Sequence, residues 1–466
     1  MRYSLAKMSH EHYLQALAWT GLLAVLVLAA YMRFTAVNDS IVLHPYRGDA
    51  AVYYTTAYNL HKYGVYSRNR NTIIRQQDSP APTPDAFATP GYPLFLEPFV
   101  STPPDSQTFR SVALWQAAIG TITVLLTFMF FRRISKLWVA LLAAALVAIS
   151  PHLVNTTIYL LSETVFAFWL MLAALVFALH QRGDRWYYPS LVLAGVLFGI
   201  AALTRPVVEF FPVALVFLLF TSQPRPQAAR GAAILVFGFM LTWAPWLVRN
   251  HISVGHSGDP TVLISSLHQG MYPGMMYHDD PASQGYAYYA DPSYAAENRS
   301  LGTATQAILG QFARHPAKEL YWYLAGKPLL LWSWTLVAGS GDIFIYPTFL
   351  SPYSTGAPLF LFTHALMYGL HWMLVILALI ASLAVWTRYA RRYLNGPQIV
   401  AARMVSLLLF YNTAVLMVLS PYVRYSIPFL PFEFGMAALA AYMLGNDAKT
   451  LRARSRNDAI RKKQNQ

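Results

Sequence analysis

Long apolar segments alternate with shorter polar stretches along most of the chain. A run of about 20 apolar residues is long enough to cross a bilayer as a helix. Such runs predict roughly ten transmembrane helices, near 16–34, 111–131, 137–150, 157–180, 189–204, 207–221, 231–247, 358–387, 400–420 and 426–445. The pattern therefore predicts an all-α polytopic membrane protein.

The composition supports this prediction. Of the 466 residues, 56% are hydrophobic and 12% are charged, whereas soluble proteins contain about 25% charged residues. The chain has no cysteine, which excludes disulfides, thiolate metal ligands and a cysteine nucleophile. The formal net charge of +14 is explained by Lys and Arg in cytoplasmic loops, so it does not indicate binding to nucleic acid.

The distribution of basic residues predicts the topology. Clusters of Arg and Lys place both chain ends and the short basic loops in the cytoplasm. We therefore expect an N-terminal transmembrane module (1–247) with a first outer loop at about 35–110, a second, aromatic-rich outer segment (248–357), C-terminal transmembrane helices (358–445) and a basic cytoplasmic tail (446–466). The pattern fits a bacterial inner (plasma) membrane, with the active face toward the periplasm or exterior.

The first outer loop opens with the sequence GDAAVYYTTAYNLHKYG, residues 48–64. This stretch predicts a helix that ends at Gly64 and lies in the membrane interface, where tyrosine side chains are favoured. Asp49 has two interpretations that are compatible with each other. It caps the helix N-terminus, or it accepts a proton from a hydroxyl group at the lipid–water boundary.

Six motifs occur in order: GDAAVYYTTAYNLHKYGVYS, TPGYPLFLEPF, LLSETVFAF, GVLFGIAALTRPVVEFFP, APWLVRNHISVG and SPYVRYSIPFLPF. This series resembles the GT-C class of polytopic membrane glycosyltransferases, which includes protein O-mannosyltransferases and the lipid A aminoarabinose transferase. The resemblance implies the GT-C fold and, usually with inversion, transfer of a sugar from a polyprenyl-phosphate carrier to an acceptor hydroxyl at the outer face. It also implies that Asp49, the acidic residue near the start of the first outer loop, is the base or orienting group.

A departing phosphate needs positive charge nearby as the glycosidic bond breaks. Arg205 and Arg424 lie in short outer turns, against the charge rule that governs the other loops. Arginine offers several fixed donors to phosphate oxygens. We therefore predict that Arg205, Arg424 and Lys327 bind the donor phosphate. The alternatives are that both arginines extend to lipid headgroups, or that Arg205 pairs with Glu209.

Two further acids and two tyrosines complete the predicted site. Glu163 lies at the outer end of the fourth span, where an ionisable residue indicates function; alternatively, it is an acid of a first helical turn. Glu97 follows a proline-fixed bend. We expect both acids to be catalytic and Tyr53 and Tyr92 to line the substrate cleft.

The sequence leaves metal binding and acceptor identity open. His268, His278, Asp279 and Asp280 have side chains that could bind a divalent metal ion, but they lack a helical ligand spacing. The acceptor is a lipid, a glycan or a protein.

Two other functions are also compatible with the sequence. One is a transporter or flippase of lipid-linked sugars, and the other is a ligase or polymerase of lipid-linked glycans. The long outer segments disfavour transport, because transport sites lie near the membrane midplane. Motifs for ATP binding and for zinc or serine hydrolysis are absent from the sequence.

Overall fold

The computed structural model describes residues 2–74, 81–101, 105–181 and 183–464, with side chains described between residues 18 and 448. Each of the ten apolar segments predicted from the sequence contains a helix, which confirms the all-α prediction. With helices numbered along the chain, these ten are α1 (Arg2–Asn38), α5 (Ser106–Ile134), α6 (Leu137–Ile149), α8 (Glu163–Leu179), α9 (Tyr187–Thr204), α10 (Phe211–Ser222), α11 (Arg225–Val254), α18 (Pro358–Ala384), α19 (Gly396–Val418) and α20 (Leu430–Gln464).

Seven helical segments among the described residues are long and apolar enough to cross a membrane. An eighth candidate combines α6 with the segment Pro151–Ile158, with a bend of 53° between them. The count of ten spans is not confirmed, because α8 and α10 contain only 17 and 12 residues, fewer than the roughly 20 that cross the hydrocarbon core. The protein is an integral membrane protein.

Short helices fill the two long segments between the membrane helices. The first contains α2 (Gly48–Tyr63), α3 (Asn71–Ile74) and α4 (Gly91–Leu96), and α7 (Pro151–Asn155) follows α6. The second contains α12 (Thr261–Gln269), α13 (Ala287–Ala290), α14 (Tyr294–Glu297), α15 (Leu301–Arg314), α16 (Pro316–Tyr321) and α17 (Lys327–Leu331). Strand β1 (Ile41–Val42) of the first segment pairs antiparallel with β2 (Thr348–Leu350) of the second, so both segments lie at the same end of the bundle.

Helix α2 follows the sequence prediction at its C-terminus but not at its N-terminus. Gly64 adopts the left-handed conformation (φ 65°) and donates its N–H to the carbonyl of Leu60 at 3.0 Å, as expected for a C-terminal glycine. Arg47, with extended backbone, is the N-cap residue. The prediction that Asp49 caps the helix is therefore wrong: the helix begins at Gly48, and the Asp49 carboxylate is available to other partners.

Two glycines allow α9 and α11 to pack closely. A Cβ atom on Gly195 would clash with the carbonyl oxygen of Leu235, and one on Gly238 would clash with that of Val192. Small residues at such crossings bring helix backbones together in membranes. The same α11 also holds the first outer loop, because Arg249 donates to the carbonyls of Asp85 at 2.6 Å and Tyr66 at 3.1 Å.

Candidate active site

Asp49 and Arg424 form an ion pair between the N-terminal and C-terminal parts of the chain. Asp49 lies in the first turn of α2, with its side chain 48% exposed, and Arg424 Nη2 donates to its Oδ2. Arg424 belongs to a short 3-10 helix, Val423–Tyr425. Burial raises the pKa of Asp49, but the charge and hydrogen bond of Arg424, with the charge of Arg205, outweigh this effect and hold the pKa below its ordinary value. Asp49 is therefore ionised at neutral pH.

Glu163 connects the two arginines. It is the first residue of α8, and its side chain is 1% exposed. Its Oε1 lies 2.8 Å from Arg205 Nη1 and 3.0 Å from Arg424 Nε. Arg205 also donates to the hydroxyl of Ser162 at 3.1 Å. A carboxylate shared in this way fixes the position of both guanidinium groups.

The four residues Asp49, Glu163, Arg205 and Arg424 form what we call the charged cluster. Four separate parts of the chain contribute one residue each: α2, α8, the turn after α9, and the turn before α20. Two carboxylates and two guanidinium groups give a balanced formal charge. Arg205 pairs with Glu163 here, which replaces the pairing with Glu209 considered from the sequence.

Tyr425 packs against both arginines of the charged cluster. Its ring centroid lies 5.1 Å from Arg205 Cζ and 5.6 Å from Arg424 Cζ. An arginine that rests on an aromatic face gains a cation–π attraction and loses rotational freedom. Tyr425 therefore helps to orient both guanidinium groups.

The two predicted cleft tyrosines differ in environment. The rings of Tyr53 and Tyr92 pack edge to face, with centroids 5.1 Å apart. Tyr53 lies one helical turn after Asp49, and burial together with the Asp49 charge raises its pKa to about 12. Tyr92 is fully buried and donates to Gln116 Oε1 at 2.8 Å. Tyr53 thus borders the charged cluster, whereas Tyr92 packs against Tyr53 and is anchored by Gln116.

Glu97 and Lys327 are placed differently from the sequence prediction. The Glu97 carboxylate binds His61 Nδ1 at 2.7 Å, and both side chains are partly exposed. The Lys327 ammonium, which is fully buried, donates to the carbonyl of Leu419 at 3.0 Å and rests on the Tyr323 ring at 3.6 Å. Burial lowers the pKa of Lys327 to about 7. The contacts described for both residues lie outside the charged cluster.

Part of the chain matches a known family at the level of sequence. Residues 90–248 match the family model described as dolichyl-phosphate-mannose-protein mannosyltransferase. Among curated proteins, none matches the chain.

The fold is similar to that of solved membrane proteins. One is the archaeal oligosaccharyltransferase AglB from Archaeoglobus fulgidus in complex with an inhibitory peptide and a dolichol-phosphate, with 14% identity, a TM-score of 0.50, and coverage of 96% of this chain and 52% of that chain. The apo form of the Archaeoglobus fulgidus oligosaccharyltransferase has 15% identity and a TM-score of 0.50, and the match covers 94% of this chain and 52% of that chain. The protein O-mannosyltransferase Pmt1–Pmt2 complex of S. cerevisiae, bound to the sugar donor, has 17% identity and a TM-score of 0.39. That match covers 52% of this chain and 35% of that chain. This chain spans about half the length of the archaeal protein.

The chain has the GT-C fold. The matched family region contains two members of the charged cluster, Glu163 and Arg205. The other two, Asp49 and Arg424, lie on either side of that region. The GT-C architecture thus assembles its charged cluster from residues both inside and outside the part that sequence comparison detects.

Sequence reasoning missed two tyrosines of the candidate site. Tyr425 had a signal, because it directly follows Arg424 in SPYVRY and α20 begins five residues later. Tyr346 had none: it lies in the second outer segment, yet its hydroxyl is close to Gly48, and its ring lies 5.5 Å from Arg47 Cζ. Its position depends on the contact between the two outer segments.

The charged cluster does not fit a resident divalent metal ion. Both of its carboxylates are paired with arginines, so the set offers no surplus of negative ligands. The residues considered as metal ligands from the sequence have separate partners in the structure. Asp279 pairs with Lys318 at 2.8 Å, and Asp280 accepts from the backbone of Ala282 at 2.9 Å. His268 instead lies beside two other carboxylates.

Proposed function

We propose that this protein is a membrane glycosyltransferase that moves a sugar from a polyprenyl-phosphate-linked donor to an acceptor hydroxyl at the extracytoplasmic face, with inversion at the anomeric carbon. The observation that carries the proposal is the charged cluster, in which one partly exposed carboxylate contacts one of two arginines that share a buried carboxylate. This arrangement combines a proton acceptor with a phosphate site.

The comparisons support the same substrate class. The family model is named for dolichyl-phosphate-mannose as sugar donor, and the archaeal structure holds a dolichol-phosphate. Both names describe a lipid carrier linked through phosphate. A carrier of this kind, with its chain in the membrane, would bring its phosphate to the membrane surface.

Arg205 and Arg424 would bind the donor phosphate. In the transfer step the acceptor oxygen attacks the anomeric carbon, and the bond from that carbon to the phosphate oxygen breaks. The electron pair leaves with the phosphate, where two preorganised guanidinium groups stabilise the growing charge. Glu163 is a positioning residue in this scheme, because it is buried and contacts both arginines.

Asp49 would take the proton of the acceptor hydroxyl. With Arg424 bound to it, Asp49 is a weak base, because the arginine lowers its pKa. A donor phosphate competes for the same guanidinium group, and the loss of that contact increases the proton affinity of Asp49. Donor binding would thus prepare the base before the acceptor reacts.

A cavity beside α2 offers a place for the acceptor. Its volume is about 470 Å³, and it is lined by Val52, Ser67, Arg68, Asn69, Arg70, Thr83 and Asp85. Val52 neighbours Tyr53 and lies three residues from Asp49 on the same helix. The lining is rich in hydrogen-bonding groups, which suits a hydroxylated acceptor.

The test is transfer of radiolabelled sugar from defined polyprenyl-phosphate sugars to a total membrane extract by the purified protein. We expect wild type and Asp279→Asn to transfer label, and Asp49→Asn to lose transfer. Asp279→Asn is the matched control, because it makes the same change at an exposed outer carboxylate that pairs with Lys318. Movement of intact labelled lipid between leaflets, without consumption of any donor, would instead support a flippase. Transfer of whole glycans from a pyrophosphate carrier would support a ligase or polymerase.

A further inference from the structure

Three side chains with metal-binding groups meet in the second outer segment, outside the charged cluster. His268, Asp291 and Glu297 each offer a ligand atom, and these atoms lie within 4.8 Å of one another. His268 Nε2 is 2.8 Å from Glu297 Oε2. Imidazole nitrogen and carboxylate oxygen are both ligand atoms that zinc binds in proteins.

The neighbouring residues hold these ligands in place. Asp291 Oδ1 accepts from the backbone N–H of Ser293 at 2.8 Å and from its hydroxyl at 2.6 Å. Asp291 Oδ2 accepts from the Tyr272 hydroxyl at 2.6 Å. The His268 ring, fully buried, packs edge to face against Tyr294 with centroids 5.1 Å apart. Contacts of this kind orient metal ligands and are a regular part of metal sites.

We propose that His268, Asp291 and Glu297 bind one zinc ion. The ion would take the place of the hydrogen bond between His268 Nε2 and Glu297. The other ring nitrogen, Nδ1, faces the Tyr272 hydroxyl at 3.4 Å, a second partner that fixes the ring orientation. The Glu297 side chain is 30% exposed, so a water molecule can reach the metal as its fourth ligand.

The position of this site suggests a structural role. His268 belongs to α12, which contacts the loop before Arg424. Ser266 Oγ lies 2.8 Å from Ser420 Oγ, and the Tyr422 hydroxyl donates to Gln269 Oε1 at 2.9 Å. Zinc bound to His268 would fix α12 and, through this loop, Arg424. This effect on sugar transfer rests on the proposed function, whereas zinc binding itself does not.

The test uses the full-length protein, purified in detergent, stripped of metal with a chelator and then titrated with Zn²⁺ against a chromophoric competitor. We expect one zinc ion per chain and a higher thermal unfolding temperature with zinc. Glu297→Gln should weaken zinc binding by more than the roughly 10- to 100-fold that loss of an outer-shell partner costs. Because Glu297 lies at the rim, this variant should fold even where His268→Ala does not.

The matched control is His278→Ala, an exposed histidine of the same outer segment. It should bind zinc as wild type does. Absence of stoichiometric zinc binding in wild type would overturn the proposal, as would equal affinity in Glu297→Gln and wild type. Because metal content and unfolding temperature are measured without any sugar donor, failure of the glycosyltransferase proposal leaves this result unaffected.

Discussion

Arg424 contacts Asp49 although 375 residues separate them in the sequence. The same guanidinium group also contacts Glu163, 3.0 Å from its Nε. Arg424 therefore has one buried partner, which anchors it, and one partly exposed partner, for which a phosphate can substitute.

Asp49→Asn separates donor binding from chemistry. Removing the carboxylate that competes for Arg424 should lower the Kd for polyprenyl phosphate. The same change should reduce kcat by about 10²- to 10⁴-fold, the usual contribution of a general base. Isothermal titration with polyprenyl phosphate and single-turnover transfer measure the two effects. Weaker donor binding in Asp49→Asn would contradict competition for Arg424.

Arg205→Lys tests whether a point charge is sufficient at the phosphate site. Lysine keeps the charge but lacks the rigid, planar set of donors with which a guanidinium group can face Glu163, Ser162 and a phosphate oxygen. We expect transfer to fall by about 10²- to 10³-fold, comparable to the loss of one preorganised donor. Circular dichroism would establish that the helices are retained. Transfer at the wild-type rate would remove Arg205 from the phosphate site.

Glu163→Gln should destabilise the protein. It leaves two partly buried arginines without the buried carboxylate that they share, and loss of one partner from a fully buried ion pair costs about 3–5 kcal/mol, an upper limit here. The comparison is Glu97→Gln, whose exposed pair with His61 is expected to contribute no more than about 1 kcal/mol. Thermal unfolding of both variants in the same detergent provides the measurement. Equal unfolding temperatures would mean that Glu163 does not anchor the arginines.

Lys327→Met should change how stability depends on pH. An ordinary lysine in the unfolded chain has a pKa of about 10.4, whereas burial lowers the pKa of Lys327 in the folded protein to about 7. Between these values the unfolded chain binds the additional proton, so the stability of the wild type should rise with pH from 7 toward 10. Unfolding temperatures measured across this range should show a smaller slope for Lys327→Met. An unchanged slope would assign the pH dependence to other groups.

The membrane helices were predictable because their signal is local. An apolar run identifies a helix without knowledge of its neighbours, and all ten runs contain one. Helix α2 was predictable for the same reason, since its tyrosines and Gly64 lie within one short stretch. The number of spans was harder, because α8 and α10 are apolar but short.

The sequence indicated which charged residues were candidates for the site, but not which of them contact one another. Asp49, Glu163, Arg205 and Arg424 could be selected because each is a charge in an apolar or outer-turn context. Glu97 and Lys327 satisfied the same criterion, but the fold gives them other partners, His61 for the first and the backbone of Leu419 for the second. Which charges meet depends on how the helices pack, and no local pattern contains that information.

The balanced charge of the cluster has a consequence for turnover. A polyprenyl-phosphate sugar is a phosphodiester with one negative charge, whereas the carrier released after transfer is a phosphate monoester with about −1.5 to −2 at pH 7. The two arginines would therefore hold the spent carrier more tightly than the fresh one. In the proposed cycle we therefore expect product departure to be slow, and we expect accumulated carrier phosphate to inhibit transfer until it is removed from that leaflet of the membrane.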